Sequence, residues 1–214
     1  MPVVNVWRKV GIDIESALGP AKTITAISKV TEAVVTATHD FAVGDYVRLI
    51  GIAGMQQMDE VVARVKTVST TVSFVLEGVD STLFDTFTSG TVKKITFGTA
   101  MSTAQDISAS GGDAQYTPTT TIHSELDTQI PTGVNILMFT MNNIFDPADV
   151  GLLALRAASR AKTSLAIKFN FASGAKICFG AFISAPLTPT GSTGAVVQTP
   201  VSLSARALPT AYST

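Results

Sequence analysis

Ala33-Val34-Val35-Thr36-Ala37-Thr38 is followed by the turn Val43-Gly44-Asp45 and then by Asp45-Tyr46-Val47-Arg48-Leu49-Ile50. β-Branched residues at this density suit a pleated, half-buried surface, and Gly44 supplies the positive φ that a tight turn requires. The same pattern recurs at 60–67, 72–76 and 91–96, with breaks at Ile52-Ala53-Gly54 and Ser89-Gly90. Five short strands this closely spaced predict a small barrel or sandwich within residues 23–97. Gly51 and Gly54 bracket a tip that holds Met55, Gln56, Gln57 and Met58. The two methionines are read as adaptable filler under the loop, with a contact surface as the alternative.

Downstream, residues 97–121 turn small and polar, through Gly98-Thr99-Ala100, Ser108-Ala109-Ser110-Gly111-Gly112-Asp113 and Thr117-Pro118. This predicts a long loop or extended hairpin, an arm able to reach a neighbouring subunit. Residues 135–141 read as a strand with both faces buried, since Ile136 and Met138 fall on one side and Leu137, Phe139 and Met141 on the other. One helix follows, with Asp146 as its cap and Pro147 in its first turn, and with Val150, Leu153, Ala154, Ala157 and Ala161 at helical spacing. Leu165, Ile167, Phe169 and Phe171 then alternate with polar or small residues, Ala172-Ser173-Gly174 turns the chain, and Ile177, Phe179, Ala181 and Ile183 return it. A last strand runs through Ala195, Val197, Thr199, Val201 and Leu203, where Pro200 predicts an edge or bulged strand.

Charge divides the second half in two. Asp106, Asp113, Glu125, Asp127, Asp146 and Asp149 lie between 95 and 149 without a Lys or Arg, and Arg156, Arg160, Lys162, Lys168, Lys176 and Arg206 lie between 150 and 214 without an acid. The plainest expectation is that the two blocks neutralise one another within one subunit through weak surface pairs. Head-to-tail self-association is its rival. The helix dipole accounts for part of the split, with Asp146 and Asp149 at its positive end and Arg160 and Lys162 at its negative end.

The chain has 214 residues, enough for one large or two small domains with a genuine core. It is 46% hydrophobic and only 14% charged, against roughly 25% charged in an ordinary soluble domain, which implies surface hidden by neighbours. No apolar run approaches the roughly 20 residues of a spanning helix, and the first residues show no secretory pattern, so membrane binding is not expected and a cytoplasmic origin is. The net charge of −1 gives the whole chain no pull toward nucleic acid, and the six bases of the last block are too dispersed for fixed phosphate binding.

Catalytic chemistry is thin. His39 and His123 stand without Cys, His or Glu at metal-ligand spacing, and His123-Ser124-Glu125 is no triad, because triad roles are spatial. The Ser108 to Gly112 segment lacks the Gly-Lys-Ser/Thr ending of a phosphate loop. The single Cys178 excludes an intrachain disulfide and reads as a small core residue. No enzyme, cofactor or metal is expected.

Several segments together carry a resemblance. They are Val30-Thr31-Glu32-Ala33-Val34-Val35-Thr36 leading to Gly44-Asp45, Phe74-Val75-Leu76-Glu77-Gly78-Val79-Asp80, Phe87-Thr88-Ser89-Gly90 and Ser110-Gly111-Gly112-Asp113, followed by helix, hairpin and final strand. In these the chain resembles the major tail tube proteins of long-tailed, siphovirus-type bacteriophages. Residues 23–97 also look like a small β-barrel insertion found in phage virion proteins and named from ubiquitin-activating enzymes. The resemblance implies a mainly β fold, a tail-tube β-sandwich at 1–22 and 98–214 with one flanking helix, and an inserted small β domain at 23–97 on the outer surface. It further implies hexameric rings stacked into a tube that conducts DNA into the host. The partners it implies are copies of the chain, tape measure, tail terminator and tail-tip proteins, with transient passage of double-stranded DNA. The location it implies is the virion tail, assembled in the host cytoplasm. Asp106, Asp113, Glu125, Asp127, Arg156, Arg160 and Lys162 are the self-assembly candidates. The rival readings are another virion surface or tail-tip protein, and a carbohydrate-binding or adhesin module built around Met55, Met58 and Tyr46.

Overall fold

The computed structural model describes residues 7–123 and 125–213. Residues 1–6, on which the reading of a missing secretory pattern rests, and Ser124, beside His123, lie outside the described residues.

Six strands close a barrel: β2 (Lys22–Ile27), β3 (Val34–Ala37), β4 (Tyr46–Ala53), β5 (Val62–Ser69), β6 (Ser73–Leu76) and β7 (Ser89–Met101). The order is β2-β3-β6-β5-β4-β7, and Lys22 and Thr23 pair with Val92 and Thr91 to return β7 to β2. Inward alternation fills the barrel with Ile24, Val35, Phe41, Val47, Leu49, Val65, Phe74, Leu76 and Val92. Met55 and Met58, on a single 3-10 turn at Gln56–Met58, are fully buried in the same core. They are filler, as the sequence suggests, and leave no aromatic pocket with Tyr46, which packs edge-on against Phe97 and Tyr212. Strand β2 escapes sequence reading because a bulge between Ile24 and Ala26 breaks its alternation.

The second half is a sheet ordered β7-β1-β12-β13-β14-β11-β8, where β1 is Gly11–Leu18, β8 Ala104–Ser110, β11 Met138–Ile144, β12 Ser164–Asn170, β13 Lys176–Ser184 and β14 Gln198–Ala205. Strand β7 belongs to both bodies. Its first part pairs β4 from Ser89 to Ile95, and its last part pairs β1 from Ile95 to Met101. One face of the sheet packs Phe139, Phe169 and Phe179 together, with Met141, Val201 and Leu203, under α1 (Val150–Ala161). Full burial of each phenylalanine contributes roughly 1.5–3 kcal/mol. The other face meets the barrel through Val62, Ile95, Ala166, Cys178 and Tyr212. A Cβ at Gly180 would stand 3.3 Å from the Glu60 carbonyl oxygen, so glycine lets the barrel approach this closely.

Several sequence expectations shift here. Residues 97–121 take the extended-hairpin form and not the loop: β7 continues to Met101, β8 pairs β11, and β9 (Ala114–Pro118) pairs β10 (Gln129–Val134) in a separate two-stranded sheet. Small polar residues there serve as strand residues because neighbouring strands hold them, with cross-strand side-chain hydrogen bonds such as Thr117–Thr132 at 3.1 Å. The expected strand at 135–141 lies at 138–144, and its faces are unequal: Phe139, Met141 and Asn143 are buried while Met138 and Ile144 are exposed. Pro200 sits where β14 has β11 beside it but β13 has not yet begun to pair, a local edge, as expected. Strand β15 (Thr210–Tyr212) follows and pairs β13.

The helix is capped by Asp149, not Asp146: the Leu152 N–H donates to Asp149 Oδ1 at 2.7 Å, and Ser102 donates to Asp149 Oδ2 at 2.8 Å. Pro147 precedes the first turn. Asp149→Ala is expected to cost about 1 kcal/mol, and Asp146→Ala under about 0.5 kcal/mol, read by urea denaturation. The helical face also differs from the expected one. Leu152, Leu155, Ala158 and Gly151 face the core, whereas Val150, Leu153, Ala157 and Ala161 are exposed. Both sets have helical spacing, and the larger Leu152–Leu155 pair wins the core.

Candidate assembly surfaces

The densest polar cluster lies between barrel and sheet and is buried. Arg48, on β4, donates through Nε to Glu60 Oε2 at 2.6 Å, pairs with it again through Nη2, and stands 3.6 Å from Glu15. It also donates to the Ser164 carbonyl at 3.2 Å and to the Ser164 hydroxyl. Arg206 reaches Glu60 from the solvent side at 2.7 Å, and Glu15 accepts the Ala166 N–H at 2.9 Å. Two carboxylates and two guanidiniums thus tie β1, β4 and β12 to the segments that follow the 3-10 turn and β14. Sequence reading missed this cluster. Its signal was present as single charges inside apolar runs, Ile14-Glu15 and Val47-Arg48-Leu49.

Burial raises the Glu15 carboxyl above its ordinary value, outweighing the Ala166 N–H and the Arg48 charge. Between the ordinary and the raised value the folded chain holds more protons than the unfolded one, so this residue's contribution to stability falls as pH rises. Glu15→Gln is expected to flatten that fall, measured as the pH dependence of chemical denaturation. The slope is unchanged if Glu15 does not titrate upward.

Cys178 is buried, its thiol pushed up to about 12 by burial, far from the thiolate a nucleophile needs. Among the described residues no group of three or more His, Cys, Asp or Glu can hold a metal ion, and no helix is long and apolar enough to cross a membrane.

The charge blocks do not neutralise one another as expected. Among the described residues no ion pair joins an acid of 95–149 to a base of 150–214. Lys168 pairs with Asp13 at 3.0 Å and Arg206 with Glu60, acids that lie elsewhere in sequence. The physical reason is topological, because β12 and β13 sit between β1 and β14, away from the acids.

The structure places the seven candidates on three features. Asp106 is on β8, the strand that ends the sheet, and accepts from Asn142 N and Nδ2, both at 3.2 Å. Asp113 stands at the root of the β9–β10 hairpin, and Glu125 and Asp127 at its tip, where Thr120 donates to Asp127 at 3.2 Å. Arg156 and Arg160 lie on α1, and Lys162 follows it in a left-handed conformation. The hairpin itself, residues 111–136, is an arm whose described residues are all exposed, Tyr116, Ile122, Leu126, Ile130, Val134 and Ile136 among them. An isolated two-stranded ribbon is marginal in water. At its root, Gly111 takes φ +83°, and a Cβ there would lie 2.0 Å from the Ile136 carbonyl oxygen.

A buried, closed interior combined with an exposed apolar arm, an end strand and unpaired charges of both signs defines a structural subunit made for contact with other chains. The chain belongs to the phage tail tube protein (TTP) family, whose model matches residues 53–214. The family consists of structural proteins of the virion tail, and membership implies assembly into a multi-subunit tail. No curated protein matches the chain significantly.

Proposed function

We propose that the chain forms hexameric rings that stack into the tail tube of a siphovirus-type bacteriophage, the conduit through which DNA passes into the host. The observation that carries this reading is the arm at 111–136, which buries none of its described residues against its own subunit while exposing six large apolar side chains. Strand β8 adds a second contact, since among the described residues it is hydrogen-bonded to β11 alone and offers its other edge to a strand of a neighbour. A closed ring removes such edges, and a head-to-tail contact between rings repeats without closing, giving a filament. Sixfold closure is the form the family resemblance implies.

Residues 23–97 act as an inserted domain on the outer wall. The adjacency of Thr23 and Thr91 on β2 and β7 supports this, because entry and exit lie side by side. An outward barrel obstructs a contractile sheath, in keeping with a flexible tail. Tape measure, terminator and tail-tip proteins are its partners at the two ends, and assembly takes place in the host cytoplasm. The lumen passes DNA without holding it, in line with the near-neutral chain. Negative-stain microscopy of the purified protein across a salt series tests this. Hollow six-fold rings or tubes are expected, and monodisperse monomers at every salt concentration overturn the reading.

A further inference from the structure

We infer that the arm tip of one copy seats on the outward face of α1 in a second copy. This rests on the reading of the chain as a self-assembling subunit and adds to it the receiving surface. Helix α1 carries two apolar stripes, and its own subunit uses one. The other runs through Val150, Leu153, Ala154, Ala157 and Ala161, with Val150 67% and Leu153 43% exposed. Beside it a groove opens between the helix and the sheet, lined by Ala157, Ala161, Thr99, Ser16 and Leu165 together with the buried Glu15. Small side chains keep this groove open to a bulky apolar group. Arg156 and Arg160 flank the stripe one turn apart and Lys162 closes its end, and none of the three has an ion-pair partner among the described residues.

The arm supplies the matching half. Ile122, 96% exposed, and Leu126, 79% exposed, are the apolar residues of its tip, with Glu125 and Asp127 on either side of Leu126. The whole arm carries Asp113, Glu125 and Asp127 and no Lys or Arg, against three bases on the helix. Apolar residues beside acids thus meet an apolar helix stripe that carries bases along one flank and at its end. The ribbon from Gly111 to the tip spans up to roughly 40 Å when extended, long enough to leave its own subunit. Seating buries apolar surface on both partners and orders a ribbon that is marginal alone.

The test is covalent capture during assembly. Leu126→Cys combined with Ala157→Cys, joined by a short bismaleimide, is expected to give a ladder of covalent multimers beyond dimer, whereas either substitution alone is not. Cys178 is buried and stays silent. Glu125→Lys with Asp127→Lys is expected to lower ladder yield about tenfold, and adding Arg156→Glu and Arg160→Glu to the same chain is expected to restore it. Tubes that form without a ladder, or loss without restoration, overturn the seating while leaving the tube reading intact. Unmodified chain that never assembles removes both.

Discussion

A chain lacking residues 113–134, with Gly112 joined to Asn135, is expected to fold and to form no tubes. The junction is stereochemically ready. The Gly112 N–H donates to the Asn135 carbonyl at 3.1 Å, and Ser110 already pairs with Met138, so the cut leaves a hairpin loop of about five residues between β8 and β11. Subunit stability changes little, because the described residues removed are all exposed and shortening a loop from the order of 27 residues to about five alters closure entropy by only about 1–2 kcal/mol. The cut removes the exposed apolar side chains of Tyr116, Ile122, Leu126, Ile130 and Val134. The expected readout is an unaltered circular dichroism spectrum and melting cooperativity, with rings and tubes absent by microscopy. Tubes of normal appearance would show that the arm is dispensable.

Arg48→Met has the largest expected effect on the subunit itself. It leaves Glu60 and Glu15 buried with their central cation gone, and breaking a buried pair from one side costs about 3–5 kcal/mol. For a chain of this size that lowers the melting temperature by roughly 6–20 °C. The combination of Arg48→Met with Glu15→Gln and Glu60→Gln recovers most of the loss, since no uncompensated charge then remains buried. Equal melting of the single and triple variants would mean that packing of the Arg48 stem, and not charge, holds the junction.

Much of the architecture is written in local pattern. Val- and Thr-rich runs with glycine turns reveal five of the barrel's six strands, and the alternation through Ile167, Phe169, Phe179 and Ala181 reveals the β12–β13 hairpin. Local pattern fails where a neighbour decides. The end of β7 and all of β8 are strands because β1 and β11 hold them, although Gly98, Ala100 and Ser108 have no strand preference of their own. On α1, two stripes of similar spacing compete, and only the position of the sheet selects Leu152 and Leu155 over Val150 and Leu153. The charge split is visible in the sequence, whereas its lack of internal pairing is not, because pairing depends on which strands lie side by side. The buried Glu15, Arg48 and Glu60 and the solvent-side Arg206 come from four separate segments and gather only in the folded chain.

Strand β7 has a mechanical consequence. A single continuous backbone serves as rib for the barrel at one end and for the sheet at the other, so no flexible tether separates them. Twisting the barrel against the sheet must shear β7 along β1 and β4, loading many inter-strand hydrogen bonds side by side instead of opening them like a zipper. The barrel therefore turns in step with the sheet, and torque applied to one is transmitted to the other.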